Sequence, residues 1–181
     1  MEYRIICLVG ESGCGKTTIA ELLEKEGYNY MQSYTTRKPR YEGEKGHIYI
    51  DDIRDSEDFF IWDSVAHPMD SVIAYTYFDN EHYWATKEQY QCKGTSIYII
   101  DPIGVKELKE KVTDAEIIVI YLQVDERNRM LRMLDDGRSP KAVEDRIKHD
   151  REAFKVIDCN YVVNGNRSVK EVFECVKSLI K

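Results

Sequence analysis

Continuous apolar runs mark the two ends of the chain. They lie at residues 5–9, within a predicted strand at 3–9, and at residues 95–100 and 117–124, and such runs are typical of parallel strands covered on both faces. Two shorter apolar segments, at residues 28–31 and 160–163, predict further strands. The ends of the chain therefore favour a mostly parallel sheet.

Helical spacing of apolar residues fills the gaps between these strands. The predicted helices lie at residues 17–26, 105–112, 126–134, 141–156 and 168–180. Ser168 is the predicted N-cap of the last helix. Alternating strands and helices predict an α/β fold, with a parallel sheet flanked by helices.

The middle of the chain breaks this pattern. Residues 33–92 are polar, rich in tyrosine and short of long helical periods. We therefore expect a single domain, whose core comprises residues 1–32 and 93–181 and carries an inserted lobe with its own small sheet.

Composition excludes several classes of partner. The net charge of −7 disfavours binding of a nucleic acid polymer by bulk attraction. No apolar stretch approaches the roughly 20 residues of a membrane span, and no signal peptide is recognisable. The five cysteines are scattered without metal-ligand spacing, which favours free thiols in a reducing cytoplasm. A cytoplasmic monomer or homodimer is expected.

Residues 10–17 carry the strongest chemical signal. They read GESGCGKT, which matches G-x-x-x-x-G-K-[ST] between a predicted strand and a predicted helix. Such a P-loop cradles phosphates with backbone N–H groups and the helix N-terminus. Lys16 would reach the β- and γ-phosphates, and the Thr17 hydroxyl would ligate Mg²⁺. The predicted ATP-binding residues of the segment are Gly10, Ser12, Gly13, Cys14, Gly15, Lys16, Thr17 and Thr18.

A second anion site is predicted at residues 33–40, which read SYTTRKPR. Arg37 and Arg40 are three residues apart, and Pro39 restricts the backbone between them. Two guanidinium groups held in this way can grip a phosphate, helped by the hydroxyls of Ser33 and Tyr49. A solvated basic loop is the alternative, and the P-loop upstream favours the anion site.

This segment resembles the nucleoside-monophosphate site of the guanylate kinase family. The shared pattern is S-x-T-T-R-x-P-R followed by G-E and G-x-x-Y. The resemblance implies a P-loop NTPase-type fold, with a small nucleoside-monophosphate-binding lobe and a short lid. It also implies that the acceptor's phosphate is held by Ser33, Arg37, Arg40 and Tyr49, and that Glu44 is a further acceptor-binding residue.

Three later segments continue the resemblance in the family's order. Residues 83–86 (YWAT) are similar to Y-Y-G-[ST], which implies that Tyr83 or Trp84 contacts the phosphate and that Thr86 contacts the base. Asp101 begins a D-x-x-G sequence, which implies a place between donor and acceptor, where it would organise the acceptor or Mg²⁺-bound water. Asn164 matches the asparagine beside the donor's adenine.

The resemblance also implies a lid at about residues 132–146. Arg132 and Arg146 match arginines that close over both phosphates, and Arg138 is the candidate for a third that is replaced by Asp136. Together with Lys16 they would supply positive charge to the transition state. Two further arginines, Arg127 and Arg129, are expected to be solvated.

One departure affects the acceptor. By an ungapped count, Tyr75 replaces the glutamate that reads the guanine edge, although Asp79 or Glu81 could take that role if the loop is threaded differently. The resemblance as a whole implies transfer of the ATP γ-phosphate to GMP or dGMP, whereas Tyr75 favours a different acceptor. A same-fold kinase for another nucleotide or a phosphorylated sugar is the main alternative. A non-catalytic interaction module is less favoured, because Lys16 and Thr17 are intact.

Overall fold

The computed structural model describes residues 3–39, 42–50, 53–55, 59–62, 65–78 and 80–181. Two of the candidate acceptor-binding residues, Arg40 and Asp79, lie outside them. In chain order the elements are β1 (Tyr3–Val9), α1 (Lys16–Lys25), β2 (Asn29–Met31), β3 (Ser33–Thr35), β4 (His47–Tyr49), β5 (Ile53–Asp55), β6 (Phe59–Trp62), β7 (Val65–Pro68), β8 (Val72–Phe78), β9 (Glu81–Thr86), β10 (Thr95–Ile99), α2 (Pro102–Lys111), β11 (Ala115–Gln123), α3 (Glu126–Asp135), α4 (Pro140–Ala153), β12 (Tyr161–Asn164) and α5 (Val169–Leu179).

Five parallel strands form the central sheet, in the order β12–β11–β1–β10–β2. Strand β1 lies at its centre, and Ile5 to Val9 are fully buried. Successive side chains of a strand point to opposite sides, so both faces of this sheet carry apolar side chains. Helices cover both faces. Ile6 and Leu8 pack with α1 and α5, while Ile5 and Cys7 pack with α2. The predicted α/β fold is confirmed.

Helix α2 begins three residues earlier than the apolar spacing predicts. Pro102 occupies its first turn, where a missing N–H costs nothing. The Asp101 side chain caps the helix, because its Oδ1 accepts a hydrogen bond from the Gly104 amide at 2.8 Å. Asp101, two residues after the end of β10, therefore starts α2.

A second sheet is formed by β4, β3, β9 and β8 in that order, and β5, β6 and β7 form a third, antiparallel sheet. The β8–β9 hairpin docks on α2, since Ile73, Ala74 and Ala85 share a buried cluster with Val105 and Leu108. This docking places the hairpin beside the carboxyl end of β10.

Helices α3 and α4 pack on each other through Met133, Val143 and Ile147. The polar segment between them, residues 136–139, matches the predicted break. Of the helices within the described ranges, none is both long and apolar enough to span a bilayer.

The predicted N-cap of α5 can be tested by mutation. Ser168 and Glu171 form a capping box, in which each side chain bonds the other residue's amide. We expect Ser168→Ala to lower the free energy of unfolding by about 1 kcal/mol, measured by urea denaturation. Ser168→Thr retains the cap and serves as control. Equal midpoints for the alanine variant and the unmutated protein would contradict the cap's contribution.

Candidate active site

The loop from β1 to α1 is held tightly against α3. Gly13 has a positive φ of 79°, and a Cβ atom there would lie 2.7 Å from the carbonyl oxygen of Arg129. A side chain at this position would therefore be strained twice, by its backbone conformation and by the backbone of α3.

Lys16 is folded over the same loop. Its Nζ donates hydrogen bonds to the carbonyl oxygens of Gly10 and Glu11, the second at 3.1 Å, and lies 3.5 Å from Cys14 Sγ. The Cys14 side chain is buried, whereas Thr17 and Thr18 in the first turn of α1 are exposed. The ammonium group thus lies against the first two residues of the loop, although Lys16 itself begins α1.

Arg132 joins the phosphate loop to the end of β12. Its guanidinium donates to the Gly13 carbonyl at 3.2 Å and to the Gly165 carbonyl at 3.0 Å. Asn164, the last residue of β12, is exposed, and its Oδ1 accepts from the Asn166 amide at 3.0 Å. Arg132 therefore connects the phosphate loop to the residue that follows Asn164.

A cleft of about 780 Å³ joins the loop to the second sheet. It brings together ten of the residues predicted from the sequence: Gly10, Ser12, Lys16, Ser33, Arg37, Tyr75, Tyr83, Asp101, Arg138 and Arg146. Four of these side chains are cationic, in a chain whose net charge is −7. The cleft is thus suited to an anionic ligand.

Arg37 is the centre of the predicted second anion site. It forms a bidentate ion pair with Glu44, at 3.0 and 3.1 Å, and donates to the Tyr49 hydroxyl at 3.3 Å. Burial, followed by the hydrogen bond to Glu44, raises the pKa of Tyr49, so this phenol stays protonated at neutral pH. Nearby, the hydroxyls of Ser33 and Tyr98 are 3.1 Å apart.

Asp101 lies on the wall of the cleft between these two sites. Beyond capping α2, its Oδ2 accepts a hydrogen bond from Thr76 Oγ1 at 3.1 Å. Thr76 is therefore a cleft residue that the sequence did not single out. The Thr76–Asp101 bond ties the small sheet to the end of β10.

Of the two candidates for the phosphate-contacting aromatic residue, Tyr83 lines the cleft and Trp84 does not. Trp84 is 1% exposed, and its ring stacks on Tyr34 at 5.6 Å. Thr86 is completely buried and does not line the cleft either. The expected acceptor contacts of Trp84 and Thr86 are therefore wrong for this conformation. Alternation along β9 turns both side chains away from the face that Tyr83 presents.

By the same alternation, the side chains of Tyr75 and Thr76 point to opposite faces of the hairpin. The hairpin register pairs Tyr75 with Trp84 and Thr76 with Tyr83. The Tyr75 hydroxyl is 2.8 Å from His82 Nδ1, so the Thr76 side chain is the one that reaches Asp101. Glu81 accepts from Thr36 Oγ1 at the end of the hairpin and does not line the cleft. It is not in a position to read a base.

The arginines predicted for a lid lie in two places. Arg138 and Arg146 line the cleft, while Arg132 holds the loop from behind. Arg127 is exposed, as expected for a solvated charge. The same expectation is wrong for Arg129, which is 3% exposed and forms an ion pair with Asp150 at 3.2 Å.

The sequence motifs do not identify Asp150, although its place in the helical pattern of α4 indicates that it is unusual. Val143, Ile147 and Asp150 form the buried stripe of α4, so a carboxylate occupies a place where the helical spacing predicts an apolar residue. A buried charge at such a place requires a partner.

Known proteins share both the sequence pattern and this fold. The family described as "AAA domain" matches residues 6–155, which is most of the chain. The chain belongs to this AAA domain family. No curated protein matches the sequence.

Among solved structures, this AAA domain is similar to guanylate kinase from Anaplasma phagocytophilum. The TM-score is 0.61 at 17% sequence identity, with 98% of this chain and 84% of that chain covered. The protein APE1195 is also similar, with a TM-score of 0.48, 15% identity, and coverage of 99% and 98%. The fold implied by the guanylate kinase resemblance is therefore confirmed. The chain is a P-loop domain with the fold of a nucleotide kinase.

Magnesium is the metal that such a fold implies. Within the described part of this AAA domain, no group of three or more His, Cys, Asp or Glu side chains is arranged to hold a metal. The exposed Thr17 hydroxyl and the Asp101 carboxylate, which lines the cleft, are the two oxygen ligands that the sequence predicts for this ion. These residues fit a Mg²⁺ ion that takes most of its ligands from nucleotide phosphates and water.

The contact between the phosphate loop and α3 can be tested at Gly13. We expect Gly13→Ala to lower ATP affinity at least tenfold, because the new methyl group must displace α3 or the loop. The measurement is isothermal titration calorimetry with Mg-ATP.

Gly27→Ala is the matched control. Gly27 also has a positive φ, of 96°, but a Cβ there meets nothing within 4 Å. This variant carries the backbone strain alone, about 1 kcal/mol, and is expected to bind ATP normally. Equal ATP affinities for both variants would show that the contact with α3 does not shape the loop.

Proposed function

We propose that this protein is an ATP-dependent nucleoside-monophosphate kinase that transfers the γ-phosphate of ATP to GMP or dGMP. One observation carries the proposal: a single cleft contains both the phosphate-loop Lys16 and the Arg37 anion site. A donor's terminal phosphate and an acceptor's phosphate can therefore approach each other in a shared space. The fold shared with guanylate kinase supports the same reaction.

The proposed chemistry needs positioning and positive charge. The acceptor's phosphate oxygen is already an anionic nucleophile at neutral pH, so the reaction needs no general base. Lys16, Arg138 and Arg146 supply positive charge around the transferred group, where negative charge spreads in the transition state. The Thr17 hydroxyl would hold Mg²⁺, which neutralises phosphate charge when bound.

The acceptor's phosphate is assigned to the Arg37 site. The guanidinium of Arg37 donates to it, with hydroxyls from Ser33, Tyr49 and Tyr83 nearby. Before an acceptor binds, Glu44 orients Arg37 through the bidentate pair, and the acceptor's phosphate competes with this carboxylate for the guanidinium. Asp101 and Thr76 lie where they can fix the rest of the acceptor.

A second candidate function keeps the reaction and changes the acceptor. Among the described residues, the inserted segment 33–92 contributes no carboxylate to the cleft. A carboxylate is the group best suited to accept two hydrogen bonds from a guanine edge, so its absence favours a broader or different acceptor. Another nucleotide or a phosphorylated sugar fits this observation.

A panel of acceptors tests the function directly. We expect Mg-ATP with GMP or dGMP to release ADP faster than Mg-ATP with AMP, CMP, UMP or dTMP, measured by a coupled assay. If another member of the panel were preferred, the proposed acceptor would change from a guanine nucleotide to that nucleotide. If no acceptor raised ADP release above the ATP-only rate, the nucleotide-kinase assignment would fail.

Lys16 tests the chemical step. We expect Lys16→Ala to lower kcat about 100-fold or more, because it removes charge stabilisation of the transferred phosphoryl group, while thermal unfolding stays unchanged within a few degrees. Lys25→Ala, at the exposed end of the same helix, is the control and should behave as the unmutated protein. Near-normal turnover by Lys16→Ala would contradict the proposed mechanism.

A further inference from the structure

A buried carboxylate lies behind the phosphate loop. Asp150 and Arg129 are both charged and both buried, at 0% and 3% exposure. Asp150 comes from α4 and Arg129 from α3, and both contact the loop. The pair therefore lies where the loop meets the two helices.

The two oxygens of Asp150 serve different partners. Oδ2 accepts hydrogen bonds from the Ser12 amide at 2.8 Å and from Arg129 Nη1 at 3.2 Å. Oδ1 lies 3.2 Å from Arg146 Nε, 3.5 Å from Ser12 Oγ and 3.7 Å from His149 Nδ1. One carboxylate thus joins the phosphate loop to an arginine that lines the cleft.

Ser12 closes this network. Its hydroxyl accepts a hydrogen bond from Arg146 Nε, and its amide is held by Asp150. The loop and Arg146 are therefore fixed by direct contact and through a shared carboxylate. Movement of Asp150 would change both positions together.

Fold stability alone is a weak reason for such a group. Removing two charges from water costs several kcal/mol, and well-packed apolar residues often stabilise a protein as well as a buried ion pair does. The bonds from Asp150 to Ser12 and Arg146, by contrast, act on two residues at the cleft.

We propose that Asp150 is a positioning residue for phosphoryl transfer, which holds the Ser12 segment of the phosphate loop and the guanidinium of Arg146 in their working arrangement. This role rests on the kinase function proposed for the cleft. ATP binding depends mainly on the rest of the loop and Lys16. The transition state depends on Arg146, so the loss of Asp150 reduces kcat more than it weakens ATP binding.

Three variants separate positioning from stability. Asp150→Leu leaves Arg129 buried without its nearest carboxylate, so it is expected to lower the melting temperature and to lower kcat 10- to 100-fold. Arg129→Met is also expected to be less stable, but Asp150 keeps its bonds to Ser12 and Arg146, so kcat stays within about threefold. The double variant Arg129→Met/Asp150→Leu buries no charge there and is expected to regain stability.

The double variant decides the question. If Asp150 positions the site, this variant is as stable as the unmutated protein yet as slow as Asp150→Leu, while its KM for ATP changes less than about fivefold. If kcat returns to within threefold of the unmutated value as stability returns, the role of Asp150 is structural and the proposal is overturned. Glu144→Gln, which removes an exposed carboxylate from the same helix, controls for the change in charge.

Failure of the positioning role of Asp150 can be distinguished from failure of the proposed kinase function. Each rate is measured with the best acceptor of the panel or, if none reacts, as ATP hydrolysis, and ATP affinity is measured separately by calorimetry. An active unmutated protein whose double variant recovers kcat overturns only the positioning role. An unmutated protein that binds no ATP overturns both proposals.

Discussion

The whole site depends on a loop that its own hydrogen bonds stabilise only in part. A loop that binds phosphate must leave most of its amide groups free for the anion, so its internal bonds come mainly from Lys16 to the Gly10 and Glu11 carbonyls. The remaining stabilisation comes from outside: α3 packs its backbone against Gly13, Arg132 bonds the Gly13 carbonyl, and Asp150 bonds the Ser12 amide. The core sheet positions these supports, and the α3–α4 pair brings them to the loop. Their removal would leave the sequence motif intact and the loop without its shape.

The features that the sequence predicts well are those that local patterns determine. The strand–loop–helix order around residues 10–17 and the continuous apolar runs each depend on neighbours in the chain. Such runs can only be covered from both sides, which requires a parallel sheet with helices on each face. Start and stop signals are equally local, and the Ser168 cap follows from one residue and its partner three positions later. The fold class therefore follows from short stretches of sequence.

The features that the sequence predicts poorly depend on pairing between distant segments. A one-residue difference in hairpin register exchanges the two faces of a strand, and here it directs Thr76 and Tyr83 to the cleft and buries Trp84. Counting residues along the sequence without gaps does not show to which face of the hairpin each side chain points. The burial of Arg129 could not be predicted from the sequence either, because a charged residue on a polar helix is normally solvated. Only the approach of α4, with Asp150 on its apolar stripe, makes burial of Arg129 favourable.

The pairing of Arg37 with Glu44 has a consequence for which molecules the site can recognise. Both side chains are largely buried, at 15% and 7% exposure, so the guanidinium is already neutralised before any ligand arrives. A ligand must therefore compete with a carboxylate for the same donors. A neutral hydroxyl is too weak an acceptor to do so, whereas a phosphate dianion brings more charge and more oxygens than Glu44 offers. For an acceptor bound as proposed, the Arg37–Glu44 ion pair therefore favours nucleotides, which carry a phosphate, over nucleosides, whichever base they carry.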